Sequence, residues 1–299
     1  MPYHPDRHDW QLDPRAYARL LAFARLMRPY FRPIYTGFEG LRSRQGMLIV
    51  ANHGLFGHEL PFLQLGAHEI AGRPLRSFSD HVLFVVPPVR EVLIGMGVCE
   101  GTPIVAHRLL SRGELTYTCP GGAREALAPT RDRYKLYWDG RYGFVRSAIR
   151  AQAAIVPMAI IGIDETYRQI VDGDTVRQTP LGQLIVRLLG EKYLLPLYFG
   201  MGPLPLPQQL HFLAGAPIPV PTDPTAADDE TVVHALQAHV RMETEKLIAT
   251  GLAAREARLK QLPNGWERTL TLAMRQFTGS VAGWPVSPAP TARPGTAKS

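Results

Sequence analysis

The stretch MLIVANHGLFGHE, residues 47–59, decides the predicted fold of this 299-residue chain. Its first five residues are all apolar, which is typical of a buried strand, and the polar pair Asn52 and His53 follows where that strand ends. Gly54 keeps the backbone open beside the imidazole ring, and Glu59 follows within two helical turns. A histidine with a carboxylate nearby can accept a proton from an alcohol, so the stretch predicts a base at the end of a strand.

A second run, CPGGARE at residues 119–125, adds a candidate binding element. Gly121 and Gly122 allow several backbone N–H groups to converge at the start of a helix, and such a convergence binds anions. Arg124 adds a fixed positive charge with a fork geometry. The run therefore predicts a substrate-binding turn. The alternative is a tight turn whose arginine pairs with Glu125 or with solvent.

Outward from these two runs, strand-like and helix-like segments alternate through the middle of the chain. This rhythm predicts an α/β fold with a mixed, mostly parallel sheet flanked by helices. Pro157 has no N–H to donate, so its strand is expected at an edge or at a bulge. Strands are predicted at residues 47–51, 115–119, 154–161, 194–199 and 210–214, and helices at 61–71, 88–96, 104–112, 124–127, 144–152 and 228–261.

We expect residues 1–35 to form an N-terminal segment, because the apolar spacing at residues 14–35 predicts an amphipathic helix. Arginines flank its apolar stripe, and no acidic residue occurs between Pro14 and Gly37. Such a helix suits either a membrane interface or the surface of its own domain, and the lack of acids favours the membrane. The stripe consists of Tyr17, Leu20, Leu21, Ala24, Met27 and Phe31.

The rest of the chain divides into a main domain and a C-terminal extension. Residues 36–262 carry both runs and all of the predicted strands, so they predict the functional domain. Residues 263–299 form the extension, whose composition turns to Pro, Ala, Gly, Ser and Thr beyond about residue 279. This last part predicts a disordered tail, because it has too few apolar residues to form a core.

Composition and charge narrow the class of protein. Apolar residues make up 45% and charged residues 20% of the chain, as in ordinary globular proteins. No uninterrupted apolar run reaches the ~20 residues of a spanning helix, and we expect no secretory signal. The formal net charge of +7 and the pI near 9.6 indicate an anionic partner. Cys99 and Cys119 are expected to be reduced thiols, which favours the cytoplasm.

Together these residues resemble the motifs of the glycerolipid and lysophospholipid acyltransferase superfamily. The Asn-His motif of that superfamily, with its following acid, resembles Asn52-His53 and Glu59. Its Pro-Gly-Gly-X-Arg-Glu turn resembles residues 120–125, and its apolar Val-Pro strand is similar to residues 155–159. Three motifs in the expected order are more specific than any one of them. The form of the turn is similar to that of the diacylglycerol or neutral-lipid branch.

The resemblance implies a glycerol-phosphate acyltransferase-like fold and an O-acyltransferase activity. An acyl thioester, carried by coenzyme A or by acyl carrier protein, would be the co-substrate. A hydroxyl of a membrane glycerolipid or a related lipid alcohol would accept the acyl group. His53 would be the general base, and Glu59 would hold its imidazole in the required tautomer. The implied substrate-binding residues are Asn52, Gly54, Gly121, Gly122, Arg124 and Glu125.

The same resemblance implies an enzyme without a bound cofactor or metal, peripheral on the inner face of the membrane. Its partners would be the lipid surface and the thioester donor. A nucleic-acid partner is not expected, because the arginines lack interleaved aromatic residues. The oligomeric state stays open.

Two departures from the superfamily pattern bear on the substrate. The usual acid is an aspartate five residues after the histidine, but His58 stands there and the acid is Glu59. The arginine of phosphate-recognising members has no counterpart in residues 97–103. These departures favour a less charged acceptor, such as diacylglycerol, a long-chain alcohol or a neutral lysolipid, over lysophosphatidic acid.

Two other functions fit the same residues. With water in place of the alcohol, the base would serve a thioesterase or a lipid esterase, although the Gly-X-Ser-X-Gly elbow of serine esterases does not occur. A non-catalytic lipid-binding module is the other alternative, and the displaced acid suggests it. Histidines near the site are interpreted as packing or hydrogen-bonding groups rather than as metal ligands.

Overall fold

A seven-stranded sheet forms the centre of the computed structural model, which describes residues 4–7, 10–171, 173–189, 197–199, 205–261 and 271–273. In chain order the strands are β1 (Ile34–Thr36), β2 (Met47–Ala51), β3 (Leu75–Ser79), β4 (Val98–Glu100), β5 (Leu115–Thr118), β6 (Ala154–Ile161), β7 (Arg168–Val171), β8 (Leu197–Phe199) and β9 (His211–Ala214). The sheet has the order β1-β9-β6-β2-β5-β3-β4, and β7 and β8 form a separate antiparallel pair.

Helices flank the sheet. They are α1 (Pro14–Phe31), α2 (Leu60–Gly66), α3 (Pro87–Gly95), α4 (Pro103–Ser111), α5 (Gly122–Ala126), α6 (Gly143–Arg150), α7 (Gly173–Gln178), α8 (Pro180–Leu189) and α9 (Glu230–Gln261). Helix α2 continues as a π-helical turn over Ala67–Ala71. Short 3₁₀ helices span Pro5–Arg7, Phe38–Arg42, Leu55–Gly57, His81–Phe84, Thr130–Asp132 and Pro224–Asp228. Within the described ranges, none of the helices has both the length and the apolar character that crossing a bilayer requires.

The direction of the strands confirms the predicted fold class. Strand β2 lies between β6 and β5 and is parallel to both. Strands β3 and β4 continue the sheet in the same direction. Strand β9 is antiparallel to β6, and the edge strand β1 is parallel to β9. The fold is therefore α/β with a mixed, mostly parallel sheet.

The side chains of the central strands alternate between two cores. On β2, Met47, Ile49 and Ala51 point into one core, and Leu48 and Val50 point into the other. All five are buried, which explains why the strand is an uninterrupted apolar run. Residues of α1 and α2 complete the first core, and residues of α6 and α9 complete the second.

Helix α1 uses its apolar stripe to pack on the protein itself. The stripe residue Met27 is partly buried against the first core, and the other five stripe residues are buried. For this stripe the structure therefore favours the second interpretation, the surface of its own domain. The helix ends at Phe31 rather than at residue 35, because Arg32 has a left-handed φ of 43° and Pro33 cannot continue a helix.

Strand predictions agree with the structure where the apolar runs are long. Strands β2 and β6 begin and end at the predicted residues, and β5 and β9 each differ by one residue at one end. The patterns do not predict β1, β3, β4 and β7, because these strands have three to five residues and no continuous apolar run. Residues 194–196 of the fourth predicted strand lie outside the described residues.

Of the two positions expected for Pro157, an edge or a bulge, the edge is wrong, since β6 lies between β9 and β2. The interior position is tolerated because the ladder with β9 is interrupted at this residue. Gly215 donates to the Pro157 carbonyl at 2.8 Å, and the next contact is an isolated bridge between Ile155 and Ile218. Proline therefore stands where the neighbouring strand has ended.

Helix α9 begins two residues later than predicted because Asp229 caps it. The Asp229 carboxylate accepts from the N–H of Thr231 at 2.8 Å and from that of Val232 at 3.3 Å. The helix ends at Gln261, as predicted. Apart from residues 271–273, the predicted extension at 263–299 lies outside the described residues, and so does the tail predicted from about residue 279.

Candidate active site

The parallel strands bring both sequence runs to one edge of the sheet. Because β2 and β5 are parallel neighbours, their carboxyl ends meet at the same edge. Asn52 and His53 follow β2 there, and the run at 119–125 follows β5. Open α/β sheets bind their ligands outside the carboxyl ends of the strands.

His53 and Glu59 form the central contact at this edge. Nδ1 of His53 lies 3.0 Å from Oε1 of Glu59. The chain returns within so few residues because Gly57, with a φ of 65°, closes a 3₁₀ turn before α2 begins at Leu60. The side chain of Glu59 is 1% exposed and that of His53 is 25% exposed. The carboxylate therefore lies buried behind an imidazole that solvent can reach.

Two residues at the end of β5 support the carboxylate. The Tyr117 hydroxyl donates to Oε1 of Glu59 at 3.2 Å, and the Cys119 thiol donates to the Tyr117 oxygen at 2.9 Å. Neither residue is among the predicted site residues, although Cys119 begins the second run. Strand alternation is the signal that could have found them, because residues two apart on a strand share a face and both approach the catalytic edge.

The electrostatics of the pair favour its charged state. Burial alone would lower the pKa of His53, but the neighbouring Cys119 sulfur and Glu59 carboxylate outweigh it, and the pKa is raised well above its ordinary value. Burial would raise the pKa of Glu59, but the contact with His53 outweighs it and lowers that pKa. With a carboxylate at Nδ1, the neutral ring keeps its proton there and presents the lone pair of Nε2.

His58, at the position of the superfamily's usual acid, turns away from this pair. Its Nδ1 donates to the carbonyl of Leu55 at 2.7 Å. Its ring packs near Phe31 and Tyr167, with centroids 6.3 Å and 5.5 Å away. Burial lowers the pKa of His58. The ring is therefore a packing and hydrogen-bonding group.

Asn52 uses its side chain to join two strands. Its Nδ2 donates to the Ile160 carbonyl at 2.9 Å, and its Oδ1 accepts from the Ile160 N–H at 2.8 Å. The side chain is buried, and both ends of the amide are already paired. The structure thus shows that Asn52 ties the end of β2 to β6, while its predicted part in substrate binding stays a prediction.

Glu125 ties the second run to the first. Its Oε1 accepts from the backbone N–H of His53 at 2.8 Å, and its Oε2 accepts from the N–H of Tyr137 at 3.1 Å. Burial raises the pKa of Glu125 to about 7. Glu125 therefore fixes the backbone of the candidate base, a role that sequence spacing alone does not reveal.

The glycines of the site make close packing possible. A Cβ at Gly54 would lie 2.1 Å from Ile163, and a Cβ at Gly121 would lie 2.1 Å from the Glu125 carboxylate. Gly122 has a φ of 53°, and its N–H donates to the Cys119 carbonyl at 3.1 Å. Because this N–H is paired within the turn, it is not free for the anion that the sequence predicts there.

Arg124 lies on the exposed outer side of the turn. Its guanidinium carbon is 5.0 Å from the centroid of the Tyr137 ring, a cation–π contact. The side chain does not line the cavity beside His53. Of the alternative from the sequence, a turn whose arginine pairs with Glu125 or with solvent, the structure fits the solvent part, because Arg124 is exposed and Glu125 accepts from backbone N–H groups.

An open cavity adjoins His53. Its wall combines the first run with the segment from residue 125 to 135 and the turn after β6. The wall carries several charged and polar groups, which are Glu125, Thr130, Asp132, Arg133, Lys135, Asp164 and Gln169. The imidazole of His53 thus belongs to the lining of an open cavity with a polar wall.

Three atoms of the site also have the spacing of metal ligands. Among the described residues, one ligand atom each of His53, Glu59 and Cys119 lie within 4.8 Å of one another. Imidazole, carboxylate and thiolate are ligands that Zn²⁺ accepts. Two of these residues, His53 and Glu59, also form the 3.0 Å contact described above.

Comparison with known proteins agrees with the motifs. A family model described as diacylglycerol acyltransferase matches residues 76–243, which is more than half of the chain. The matched range includes the turn at 119–125 and strand β6, whereas His53 and Glu59 lie before it.

Three relatives illustrate the similarity. An uncharacterized protein of Mycobacterium leprae is 35% identical over 238 residues, which are 76% of this chain and 62% of the relative. Phytyl ester synthase 1, chloroplastic, of Arabidopsis thaliana is 28% identical over 75% of this chain and 34% of its own length. The human DGAT1/2-independent enzyme synthesizing storage lipids is 29% identical over 68% of this chain and 59% of its own. The chain thus spans less than two thirds of each of these relatives.

Among solved structures, the 1-acyl-sn-glycerophosphate (LPA) acyltransferase PlsC from Thermotoga maritima is similar. The TM-score is 0.45 at 14% identity, over 77% of this chain and 79% of that chain.

The match of the family model confirms the resemblance that the motifs predict. It covers the chain from β3 to β9 and the first part of α9, up to residue 243, so it extends well beyond the motifs themselves. The chain belongs to the diacylglycerol acyltransferase family.

Proposed function

We propose that this protein is an O-acyltransferase that moves a fatty acyl group from an acyl thioester to the hydroxyl of a membrane lipid alcohol, with His53 as general base. The observation that carries the proposal is the 3.0 Å contact between His53 Nδ1 and the buried Glu59 carboxylate, on an imidazole that faces the cavity. Membership of an acyltransferase family supports the same chemistry.

The proposed reaction proceeds through one tetrahedral intermediate. Nε2 of His53 takes the proton of the acceptor hydroxyl as the hydroxyl oxygen attacks the thioester carbonyl carbon. The intermediate collapses with cleavage of the carbon–sulfur bond, and the imidazolium returns its proton to the departing thiolate. The products are an ester and a free thiol. The Glu59 carboxylate stabilises the imidazolium while it exists.

An uncharged lipid alcohol is the proposed acceptor. The family model is that of diacylglycerol acyltransferases, and two relatives are named for phytyl esters and for storage lipids. Arg124, the residue expected to contact an acceptor headgroup, lies outside the cavity on Tyr137. The donor would be acyl-CoA or acyl-ACP, with no other cofactor.

The surface beside the site supports a position at the face of a membrane. Residues 82–92, which we call the apolar segment, follow strand β3 and therefore begin at the same edge of the sheet as His53. Large apolar side chains are rarely exposed in such a cluster on a soluble protein. We propose that this segment, rather than the buried stripe of α1, enters the lipid interface. Its exposed side chains, which are 39% to 60% accessible, are Val82, Leu83, Val85, Val86, Val89 and Val92.

The test is acyl transfer by purified protein. Radiolabelled acyl-CoA and acyl-ACP are offered with diacylglycerol, long-chain alcohols and lysophosphatidic acid in vesicles, and lipid products are separated. We expect labelled neutral lipid from the native protein and a loss of at least a hundredfold in the His53→Ala variant. His81 provides a matched control, because it also pairs with a glutamate, Glu100 at 2.8 Å, but lies outside the cavity. The H81A variant should keep its activity.

The same experiment separates the proposal from its alternatives. Thiol release at the same rate with and without acceptor, and without labelled lipid, would identify a thioesterase. Vesicle binding without turnover on any acceptor would identify a lipid-binding module. Full transfer by the H53A variant would refute the proposed base.

A further inference from the structure

Two buried N–H groups in the cavity beside His53 have no hydrogen-bond partner in the described part of the chain. They are Nη1 of Arg133 and Nε2 of Gln169, and both side chains line the cavity. Buried donors are almost always paired, because an unmade hydrogen bond leaves the full desolvation penalty. Two such donors on one wall therefore point to acceptor atoms that a ligand brings.

The amide of Gln169 is oriented by contacts on its other end. Its Oε1 accepts from the backbone N–H of Thr130 at 2.9 Å and from the Thr130 hydroxyl at 3.3 Å. These bonds use the oxygen of the amide and leave the NH₂ group as the free end. Thr130 begins the 3₁₀ helix that ends one residue before Arg133, so the two donors are held by one short segment.

The backbone beside Arg133 is held in an uncommon conformation. Tyr134 has a φ of 61°, in the left-handed region that aromatic residues rarely adopt. Its hydroxyl donates to Glu165 at 2.5 Å and accepts from the N–H of Gly162 at 2.8 Å. Its own N–H donates to Asp164 at 2.7 Å. Backbone held in this way is characteristic of ligand-binding sites.

The charges around Arg133 compensate its guanidinium only in part. Burial would raise the pKa of Glu165, but Arg255 and Arg133 outweigh it and lower that pKa. This one carboxylate serves both arginines, and its 2.9 Å ion pair is with Arg255. Asp132 accepts from the Tyr137 hydroxyl at 2.9 Å and lies 3.8 Å from Lys135. Burial, together with Glu165, raises the pKa of Asp164 to about 7, and burial raises the pKa of Glu125 to about 7. Both carboxyls are therefore partly protonated near neutral pH, which favours an anionic ligand beside Arg133.

We propose that Arg133 and Gln169 form a subsite that binds phosphate oxygens of a substrate. A guanidinium pairs with phosphate more strongly than with a neutral carbonyl, and an amide N–H completes the contact. The inference rests on the proposed function, because both classes of thioester donor, coenzyme A and the phosphopantetheine of a carrier protein, carry phosphate. A phosphorylated lipid acceptor would present the same chemistry.

The test is calorimetric titration of the full chain carrying His53→Ala, so that no turnover disturbs binding. The probes are coenzyme A, pantetheine without phosphate, and glycerol 3-phosphate. The variants R133Q and Q169L should weaken binding of the phosphorylated probe at least tenfold and leave pantetheine unchanged. The R133K variant keeps the charge but loses the forked guanidinium, so its affinity for the phosphorylated probe should lie between those of the parent and R133Q. Arg131 is an exposed arginine outside the cavity, and R131Q should bind like the parent. Circular dichroism and melting temperatures show that each variant is folded.

The pattern of loss identifies the source of the phosphate. A loss confined to coenzyme A assigns the subsite to the donor, and a loss confined to glycerol 3-phosphate assigns it to the acceptor. Equal affinity of parent, R133Q and Q169L for every phosphorylated probe, or no binding of these probes at all, overturns the inference. Acyl transfer by the native protein is measured separately. Transfer with an unchanged KM in R133Q refutes the subsite alone, whereas R133-dependent binding without transfer refutes the proposed function alone.

Discussion

Nδ1 of His53 lies 3.0 Å from Oε1 of Glu59, although this acid comes one residue later than the superfamily's usual aspartate. The shift is accommodated because His58 turns its ring toward the Leu55 carbonyl and Glu59 reaches back from the start of α2. The longer side chain of glutamate spans the extra distance. The displaced acid, which suggested a loss of catalysis, thus still contacts the histidine.

Loss of the carboxylate should therefore be as severe as in other histidine–acid pairs. We expect Glu59→Gln to reduce kcat about 10²–10⁴-fold, because the ring loses its fixed tautomer and its imidazolium loses a counterion. Glu59→Asp should also be impaired, since the shorter side chain withdraws from Nδ1. Steady-state kinetics on the best acceptor measures both, with Glu100→Gln as the matched control for a second histidine–glutamate pair. Native kcat in E59Q would refute the role.

The pH dependence of kcat/KM should report the raised pKa of His53. The base acts only when it is unprotonated, so activity should rise with pH and level off above an apparent pKa that is higher than 6.5. In E59Q the carboxylate no longer stabilises the imidazolium, so the residual activity should level off at a lower pH. A pH–rate profile of both proteins measures this. A native profile that is flat between pH 6 and 9 would contradict the assignment of His53 as the base. A higher apparent pKa in E59Q than in the native protein would contradict it as well.

Much of the fold follows from local patterns because the central strands have both faces buried. Strands β2 and β6 could be predicted to the residue, since burial on both sides demands an uninterrupted apolar run. Strands β3 and β4 could not be predicted, because their composition is mixed and only the pairing of β3 with β5 and of β4 with β3 identifies them as strands. Likewise, the stripe of α1 is visible in the sequence, but only the tertiary structure decides whether core or lipid covers it.

In the site, too, local contacts could be predicted from the sequence and long-range contacts could not. The contact between His53 and Glu59 could be predicted, because both residues lie within one short segment. The bonds from Asn52 to Ile160 and from Glu125 to His53 could not, because they join residues 108 and 72 positions apart. The catalytic and binding roles assigned from sequence spacing therefore stay predictions, to which the structure adds that Asn52 and Glu125 also hold the scaffold.

Asn52 provides a test of that distinction. We expect Asn52→Ala to lower the free energy of unfolding by about 3 kcal/mol, because the buried N–H and C=O of Ile160 would both lose their partners. The KM for donor and acceptor should change less than threefold in the protein that remains folded. Denaturant titration and kinetics measure the two effects. Unchanged stability with a large rise in KM would restore Asn52 to substrate binding.

The ion pair between Arg255 and Glu165 should anchor α9 to the turn after β6. Nη1 of Arg255 lies 2.9 Å from Oε1 of Glu165, which is 2% exposed. Arg255→Met would remove the guanidinium paired with this buried carboxylate, which keeps the Tyr134 hydroxyl as a hydrogen-bond donor, so we expect a loss of about 3 kcal/mol in the free energy of unfolding. Lys246 on the same helix pairs with Glu243 at the surface, and Lys246→Met should leave stability nearly unchanged. Equal effects of the two substitutions would contradict this account.

Membrane binding should depend on the apolar segment at residues 82–92. Deleting residues 1–35 would remove buried core residues of α1 and so could not separate docking from folding. Replacing Val85, Val86, Val89 and Val92 by serine removes exposed apolar surface without disturbing either core. We expect flotation with anionic vesicles to fall at least tenfold, while the melting temperature stays within a few degrees. Met242, an exposed apolar residue on α9, provides the control M242S, which should float like the native protein. Undiminished flotation of the fourfold variant would mean that another surface holds the lipid. Loss of flotation with intact turnover on detergent-dispersed acceptor would instead separate membrane docking from the chemistry at His53.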